Sequence, residues 1–212
     1  MALEKIKKES FSEITYKRLK SSIIKGDLKP DQKLNEVELA EKLGVSRTPV
    51  RDALTLLQKE GWIIKKNGKI YVAPVLKEEV KNLFYIREYL EALSVHQAMQ
   101  NMYDDLIEKL EAVNAKLNST QPDKVVDYGK EFHNLILQKA NNPILERILQ
   151  EIDERIEFYR RLSVKKVEGR SEKAFLEHQE IIEAIKSGNI KAAEDAVRKH
   201  IRSSYNNIIL SH

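Results

Sequence analysis

The stretch EVELAEKLGVSRTPVRDAL, residues 36–54, decides the fold of the N-terminal third of the chain. Its apolar residues predict a short helix over residues 36–43, and Gly44 suits the left-handed conformation that ends many helices. Ser46 is placed to cap a second helix that starts at Arg47. Two short helices joined by a tight, Gly-containing turn predict a helix-turn-helix.

The segments on either side extend this motif. Residues 11–25 predict a preceding helix, whose apolar stripe consists of Ile14, Leu19, Ile23 and Ile24. Residues 62–66 and 69–73 have the pattern of β-strands around Asn67-Gly68, and Asn-Gly between β-prone runs is the strongest short signal for a hairpin. A hairpin directly after a helix-turn-helix is a wing, so we predict a winged helix-turn-helix.

Two groups of side chains in this segment are placed to contact DNA. The start of the second helix of the motif, which enters the major groove in such domains, presents Ser46, Arg47, Thr48 and Arg51. Arginine can bind guanine O6 and N7 with two hydrogen bonds, and hydroxyl groups suit phosphates. The tip of the wing carries Lys65, Lys66 and Lys69, which suit phosphates or a minor groove. The alternative is that Ser46 is only a helix cap and the arginines are only solvated.

Charge and composition agree with a basic module on a helical protein. Residues 1–75 hold 16 Lys and Arg against 10 Asp and Glu, whereas residues 76–212 hold 21 against 23, which together give the net charge of +4. The 212 residues include no Cys, 7 Gly and 5 Pro, which excludes disulfide scaffolds and Cys-based zinc sites and disfavours large β-sandwiches. No apolar run approaches the roughly 18 residues of a membrane span, and the first residues lack the apolar stretch of a signal peptide. We therefore expect a cytoplasmic protein with no membrane partner.

Residues 11–74, and above all the stretch at 36–54 followed by Glu60-Gly-Trp, resemble the DNA-binding domain of the GntR family of transcription regulators. The resemblance implies that Arg47, Thr48 and Arg51 contact operator DNA, supported by Ser46 and Gly68. One position departs from the family pattern. Many relatives have an Arg between the two acidic residues of the first helix of the motif, where this chain has Val37, so one DNA contact usual in the family is expected to be absent or replaced.

The remaining two thirds of the chain predict a separate helical domain. Pro74 and Val75 mark a linker, which divides the chain into a winged helix-turn-helix domain at 1–75 and an all-helical domain at 76–212. The hydrophobic periodicity predicts no strand and about six helices, with spans of 77–102, 104–118, 122–141, 143–164, 170–187 and 190–209. These lengths fit an antiparallel helical bundle, so the expected fold class is mainly α.

Four polar side chains lie on apolar faces of the predicted bundle helices: His133, His178, His200 and Arg87. A single buried His is usually a hydrogen-bonded core residue, and that interpretation stays open here. Three His on three different helices are also a common metal constellation in bundles. A buried Arg needs an anion, and the carboxylate of a bound ligand would satisfy it with two hydrogen bonds.

The motifs Tyr85-Ile-Arg-Glu-Tyr-Leu-Glu, Phe132-His, Ala140-Asn-Asn-Pro, Glu177-His and His200 resemble the FCD ligand-binding domain of the FadR branch, in its shorter, VanR-like six-helix variety. The resemblance implies that the three histidines bind a divalent metal, Zn²⁺ or Ni²⁺, together with an Asp four residues before the first His. That position is Gly129 here; Asp127 and Glu131 lie off this helix face. Water or the effector's carboxylate would then complete the site, or metal affinity is reduced, or the site no longer holds metal.

The leading functional hypothesis is a homodimeric regulator, by family resemblance a repressor, that binds a palindromic operator in double-stranded DNA and responds to a small organic acid. Dimerisation is expected because a single helix in one major groove rarely gives enough affinity, and two-fold operators match two-fold proteins. Two alternatives are a hydrolytic enzyme that uses the three-His site and an architectural DNA-binding protein without an effector. The enzyme is disfavoured because no general base can be identified beside the histidines. The architectural protein is disfavoured because the buried polar cluster would then serve no purpose.

Overall fold

The computed structural model describes residues 9–101, 104–117, 122–164 and 169–210. Its contacts divide the chain into two compact units, with the division after Val75. Over the described residues the protein is mainly α-helical, with one small sheet in the N-terminal unit. None of the described helices is both long and apolar enough to cross a membrane.

The N-terminal unit begins with helix α1, Phe11–Ile24, one residue shorter than predicted. Its buried face consists of Thr15, Leu19 and Ile23. The predicted apolar stripe is therefore wrong at Ile14, which is 36% exposed. Successive residues are rotated by about 100° around a helix, and it is Thr15, the neighbour of Ile14, whose direction matches that of Leu19 and Ile23.

The helix-turn-helix consists of α2, Glu36–Leu43, and α3, Arg47–Lys59, as predicted. Gly44 ends α2 in the left-handed conformation, with φ of 67°, which only glycine adopts without strain. The inner face of α3, formed by Val50, Ala53, Leu54 and Leu57, is buried. Since α3 packs against both α1 and α2, this face fixes the orientation of the helix and leaves its opposite face exposed.

A three-stranded antiparallel sheet in the order β1-β3-β2 completes the unit: β1 is Lys33–Leu34, β2 is Ile63–Lys66 and β3 is Lys69–Val72. The predicted hairpin is confirmed, with Asn67 and Gly68 both at positive φ, 51° and 72°, as a tight two-residue turn requires. The strand β1 was not predicted. Two residues are too few to show an alternating pattern, and only pairing with Tyr71 and Ile70 of β3 makes them a strand.

The C-terminal unit contains six helices and no strand over the described residues: α4 Lys77–Gln100, α5 Asp104–Leu117, α6 Pro122–Ala140, α7 Pro143–Val164, α8 Arg170–Lys186 and α9 Ile190–Leu210. The predicted helices are confirmed, and the ends that can be compared agree to within one residue for α6 to α9. The predicted ends at 102 and 118 lie outside the described residues.

Helix α4 forms the centre of the bundle. It packs against α6, α7 and α9, while α8 packs against α5 and α9. Its buried side chains include the charged residues Arg87, Glu88 and Glu91. Buried charges are unfavourable unless they are paired, so the partners of these side chains locate the chemistry of the unit.

Candidate functional sites

The candidate DNA-contact residues of the helix-turn-helix all lie on the exposed side of the N-terminal unit. The first residues of α3, Arg47 and Thr48, and Arg51 one turn later are exposed. Ser46 occupies the N-cap position, but its hydroxyl makes no capping hydrogen bond. The expectation that the Ser46 side chain caps α3 is therefore wrong in this conformation, and the exposed hydroxyl lies beside the two exposed arginines.

The wing presents a second exposed basic group. Lys65, Lys66 and Lys69 are exposed, and Lys66 pairs with Lys69 across the turn that contains Gly68. Like charges directly opposite each other on a hairpin repel and do not stabilise it. These lysines therefore contribute nothing evident to the hairpin, and their positive charge is accessible to a polyanion.

A carboxylate that the sequence analysis did not consider lies between the two arginines of α3. Glu36 Oε2 is 3.5 Å from Arg47 Nη2 and 3.3 Å from Arg51 Nη2. Glu36 is the first residue of α2, where the helix dipole favours a negative charge. The turn of the helix-turn-helix therefore brings together three charged groups that are separated by up to fifteen residues in the chain.

In the C-terminal unit the structure brings the three predicted histidines together. His133 on α6, His178 on α8 and His200 on α9 are all buried, and one nitrogen from each lies within 4.8 Å of the others. His133 Nε2 and His200 Nε2 are 3.1 Å apart. Two ligands on a tetrahedral ion with metal–nitrogen bonds of about 2.0–2.1 Å are separated by about 3.3–3.4 Å, so this spacing fits a bound ion.

Two buried glutamates orient two of these imidazoles. His133 Nδ1 donates to Glu91 Oε2 at 3.1 Å, and His200 Nδ1 donates to Glu177 Oε2 at 2.8 Å. A carboxylate only accepts, so Nδ1 of each ring carries a hydrogen, and in the neutral imidazole the lone pair is then on Nε2. The Nε2 lone pairs of His133 and His200 therefore face each other, an arrangement that a cation between them would stabilise. Carboxylates in this position are the usual outer partners of metal-binding histidines.

His178 is held by packing. Its ring stacks on Phe132 with the ring centroids 3.9 Å apart and an interplanar angle of 11°. Its centroid is 4.6 Å from that of His200 and 5.4 Å from that of His133. Stacking fixes the plane of the imidazole, and one of its ring nitrogens lies within 4.8 Å of a ring nitrogen of each of the other two histidines.

Arg87 has internal partners that the sequence analysis missed. Its side chain is 1% exposed, and its Nε and Nη2 atoms donate to Glu91 Oε1 at 3.0 and 2.7 Å. Its Nε also lies 3.3 Å from Asp153 Oδ1 on α7. Although burial opposes it, the charges of Asp153 and Glu91 raise the pKa of Arg87 above its ordinary value. The expectation that this buried Arg needs an anion is met inside the protein by Glu91 and Asp153. Only Nη1 has no hydrogen-bond partner among the described residues.

Gly129, the position at which the family resemblance implies a metal-binding Asp, has space for a side chain. A Cβ atom built on Gly129 would meet no other atom within 4 Å. The nearby acidic side chains are used elsewhere, as expected from their angular positions: Asp127 pairs with Arg161 of α7, and Glu131 accepts from Lys116 of α5 at 3.4 Å. Neither Asp127 nor Glu131 therefore takes the place of the Asp that the family resemblance implies.

A winged helix-turn-helix joined to an all-helical domain defines a class of bacterial transcription regulators, and comparisons with known proteins agree. Residues 11–71 match the family described as bacterial regulatory proteins, gntR family, and residues 82–203 match the FCD domain. The chain belongs to the GntR family of transcription regulators and carries an FCD domain. It is not an enzyme, so the hydrolytic alternative is set aside.

Several relatives are transcription regulators of similar length. The HTH-type transcriptional regulator YdhC of Bacillus subtilis (strain 168) is 31% identical over 192 residues, which cover 87% of this chain and 85% of that protein. The Nta operon transcriptional regulator of Aminobacter aminovorans is 32% identical over 136 residues, which cover 62% of this chain and 65% of that protein.

Solved structures share the fold. Escherichia coli McbR/YncC has a TM-score of 0.78 at 21% identity, covering 96% of this chain and 99% of that chain. The metal-free FCD domain of TM0439 has a TM-score of 0.56 at 18% identity, covering 66% of this chain and 97% of that chain. At these identities the structural likeness shows the fold alone.

Proposed function

We propose that the protein is a repressor that binds a palindromic operator as a homodimer and acts on DNA in the cytoplasm. The observation that carries the proposal is the cluster of exposed side chains Ser46, Arg47, Thr48 and Arg51 at the start of α3, beside a wing with three exposed lysines. This arrangement supplies base-reading groups at the helix that enters the major groove and phosphate-binding groups next to it.

Selection from a random duplex library tests this function without knowledge of the operator. The full-length protein is incubated with random 30-base-pair duplexes, and the bound fraction is amplified and sequenced over several rounds. The proposal predicts enrichment of an inverted repeat. The enriched site, placed upstream of a reporter gene, should lower expression when the protein is present. Enrichment of no sequence would contradict sequence-specific DNA binding.

An exposed apolar face on α4 supports the homodimer. Tyr85, Ile86, Tyr89 and Leu93 are 62, 47, 50 and 42% exposed, and the last three are spaced at i, i+3 and i+7, which places them on one stripe of the helix. Contiguous exposed apolar surface of this kind marks interaction sites. We assign this stripe to the contact between two copies of the chain. Ile86→Glu with Leu93→Glu should shift the sedimentation coefficient from that of a dimer to that of a monomer, whereas Glu131→Lys, at an exposed site on α6, should not.

We further propose that His133, His178 and His200 hold one divalent ion, Zn²⁺ or Ni²⁺. Three features support it: the mutual approach of three imidazoles, the facing Nε2 lone pairs, and the carboxylates on both Nδ1 atoms. The bound ion would act as a Lewis acid that attracts an anion. Addition of Zn²⁺ or Ni²⁺ to chelator-treated protein should give one bound ion per chain in native mass spectrometry. Protein that stays metal-free would contradict the proposal.

The same site suggests the class of effector. Three neutral histidines leave the 2+ charge of an ion uncompensated at the site itself, and Gly129 supplies no carboxylate. A small organic acid could therefore complete the coordination of the ion. Arg87 Nη1, buried and without a hydrogen-bond partner among the described residues, is a second candidate contact for its carboxylate. Calorimetry with a panel of small carboxylates, on zinc-loaded and metal-free protein, tests whether the ion is needed for acid binding. Binding of such an acid would in turn change the affinity for DNA.

A further inference from the structure

The contact between Glu36 and the two arginines of α3 has a specific geometry. A single oxygen, Glu36 Oε2, approaches Nη2 of Arg47 and Nη2 of Arg51 at 3.5 and 3.3 Å. Glu36 is only 25% exposed, whereas the arginines are 60 and 65% exposed. Over the part of the chain that the structure describes, neither arginine has another ion pair. One half-buried carboxylate therefore holds two otherwise solvated guanidinium groups.

Without this carboxylate the two arginines would repel each other. Arg47 and Arg51 are four residues apart on α3, and like charges at this spacing are neighbours on a helix surface and destabilise it. Repulsion would spread their long side chains over many rotamers. A negative charge between them offsets the repulsion and limits their freedom, so fewer conformations remain to be lost when the arginines bind bases.

The contact with Glu36 leaves most N–H donors of each arginine available for DNA. A guanidinium group has five N–H donors, and the grip on guanine O6 and N7 uses two of them. Glu36 lies at Nη2 of each arginine and can accept only one of the two hydrogens of that nitrogen. The second Nη2 hydrogen still forms a two-donor edge, either with Nε–H or with an Nη1 hydrogen. The carboxylate can therefore stay in place while the arginines bind bases, and it does not act as a competitor for them.

We propose that Glu36 is a positioning residue that sets the base specificity of Arg47 and Arg51. The inference rests on the proposed function, because it assumes that these arginines read bases. Glu36 acts in two ways. It aligns the arginines for bidentate contacts with the preferred bases, and its negative charge at the DNA-facing surface repels phosphates and so weakens binding to other sequences.

Substitution of Glu36 is not expected to damage the helix-turn-helix. The cap of α2 comes from Asn35, whose Oδ1 accepts from the Val37 N–H at 2.9 Å. Glu41, on the same helix, provides a matched control because it is exposed and because, among the described residues, the arginines form their ion pairs with Glu36. The variants Glu36→Gln and Glu41→Gln remove the same charge from the same helix. Glu36→Ala also removes the acceptor that a glutamine amide would retain.

The test uses full-length protein, the duplex enriched by wild-type protein from the random library, and a scrambled duplex of the same composition. The readout is the dissociation constant for the scrambled duplex divided by that for the enriched duplex, so a lower ratio means lower sequence specificity. We expect Glu36→Gln and Glu36→Ala to lower this ratio about tenfold, within the range for one misplaced bidentate contact, while binding to the scrambled duplex stays equal or becomes tighter. Glu41→Gln should keep the wild-type ratio. In an Arg47→Ala and Arg51→Ala background, Glu36→Ala should no longer change it.

Three outcomes would overturn the inference. The first is an unchanged ratio in both Glu36 variants. The second is an equal loss of affinity for both duplexes, which indicates structural damage and no role in specificity. The third is an equal fall of the ratio in Glu41→Gln, which would make the effect one of net charge. If wild-type protein enriches no sequence at all, the proposed function itself has failed, and this result is distinguishable from the other three.

Discussion

Glu91 connects Arg87 to His133 through its two carboxylate oxygens. Oε1 accepts from Arg87 Nη2 at 2.7 Å, and Oε2 accepts from His133 Nδ1 at 3.1 Å. All three side chains are buried. The buried arginine and the candidate metal ligand, which lie 46 residues apart in the sequence, are therefore parts of one hydrogen-bonded network between α4 and α6.

The first prediction concerns this network. Glu91→Gln removes the carboxylate charge behind His133, so the imidazole becomes a weaker and less well oriented ligand. We expect the affinity for Zn²⁺ to fall by about 10- to 100-fold. Competition with a chromophoric chelator measures it. Glu131→Gln, an exposed change on α6 near His133, should leave the affinity unchanged, and an unchanged affinity in Glu91→Gln would show that Glu91 does not support the site.

The second prediction restores the missing carboxylate. Gly129→Asp places an acid one helical turn before His133, in a position where an added Cβ meets nothing within 4 Å. We expect tighter Zn²⁺ binding and weaker binding of small organic acids, because the aspartate takes the position that the acid would occupy. Chelator competition and calorimetry measure the two effects.

Gly129→Ala is the control for this change. It should raise the free energy of unfolding by about 0.5–1 kcal/mol, because alanine is more favourable than glycine in a helix interior. The metal affinity should not change. If Gly129→Asp binds Zn²⁺ no more tightly than Gly129→Ala does, the aspartate does not reach the ion and the assigned ligand position is wrong.

The third prediction concerns the wing. Lys65, Lys66 and Lys69 are exposed, and we expect them to bind phosphates. Replacing any one by Ala should weaken binding to all duplexes about equally and lower the slope of log affinity against log salt concentration by about one. Fluorescence anisotropy over a salt series gives this slope. A changed order of base preference would instead identify the wing as a base reader.

The fourth prediction concerns stability of the N-terminal unit at low pH. Glu60 accepts from Tyr16 Oη at 2.6 Å and from Trp62 Nε1 at 3.1 Å, and its carboxylate lies 3.1 Å from Lys20 Nζ. Although partial burial opposes it, the hydrogen bonds from Tyr16, Lys20 and Trp62 lower the pKa of Glu60 below its ordinary value. A lowered folded-state pKa means that its stabilisation is present above the ordinary glutamate pKa of about 4.3 and is lost as the pH falls through the folded-state value.

Glu60→Gln should therefore lower the melting temperature at pH 7 and reduce its dependence on pH below about 4.3. Thermal unfolding followed by circular dichroism across this range checks both effects. Glu41→Gln, an exposed change in the same unit, is the control. A melting temperature that falls as steeply with acid in Glu60→Gln as in the wild type would show that Glu60 contributes nothing to the acid sensitivity.

The sequence predicted most of the fold, because the signals were local. Gly44, the Asn67-Gly68 turn and the apolar periodicity of the bundle helices each act within a few residues, and the structure agrees with them. The two-residue strand β1 was missed because it depends on a distant partner. Ile14 was misplaced because Thr15, a polar residue, takes the buried direction in its place.

The site was predictable in part. The three histidines could be found because each lies on an apolar helix face, where a polar residue is conspicuous. Their carboxylate partners were harder to find: Glu91 and Glu177 are acidic residues among many, and only tertiary packing shows that they are buried. The same holds for Asp153 beside Arg87 and for Glu36 between the α3 arginines, where the partners come from different helices.

The central claim is that the start of α3 reads bases, and the affinity of Arg51→Ala for the enriched and the scrambled duplex tests it most directly. Loss of one bidentate contact with guanine should weaken binding to the enriched duplex by about 1–3 kcal/mol and change binding to the scrambled duplex far less. Arg18→Ala, which removes an exposed arginine from α1, should leave the preference unaltered. A preference that persists in Arg51→Ala at the wild-type level would contradict the account.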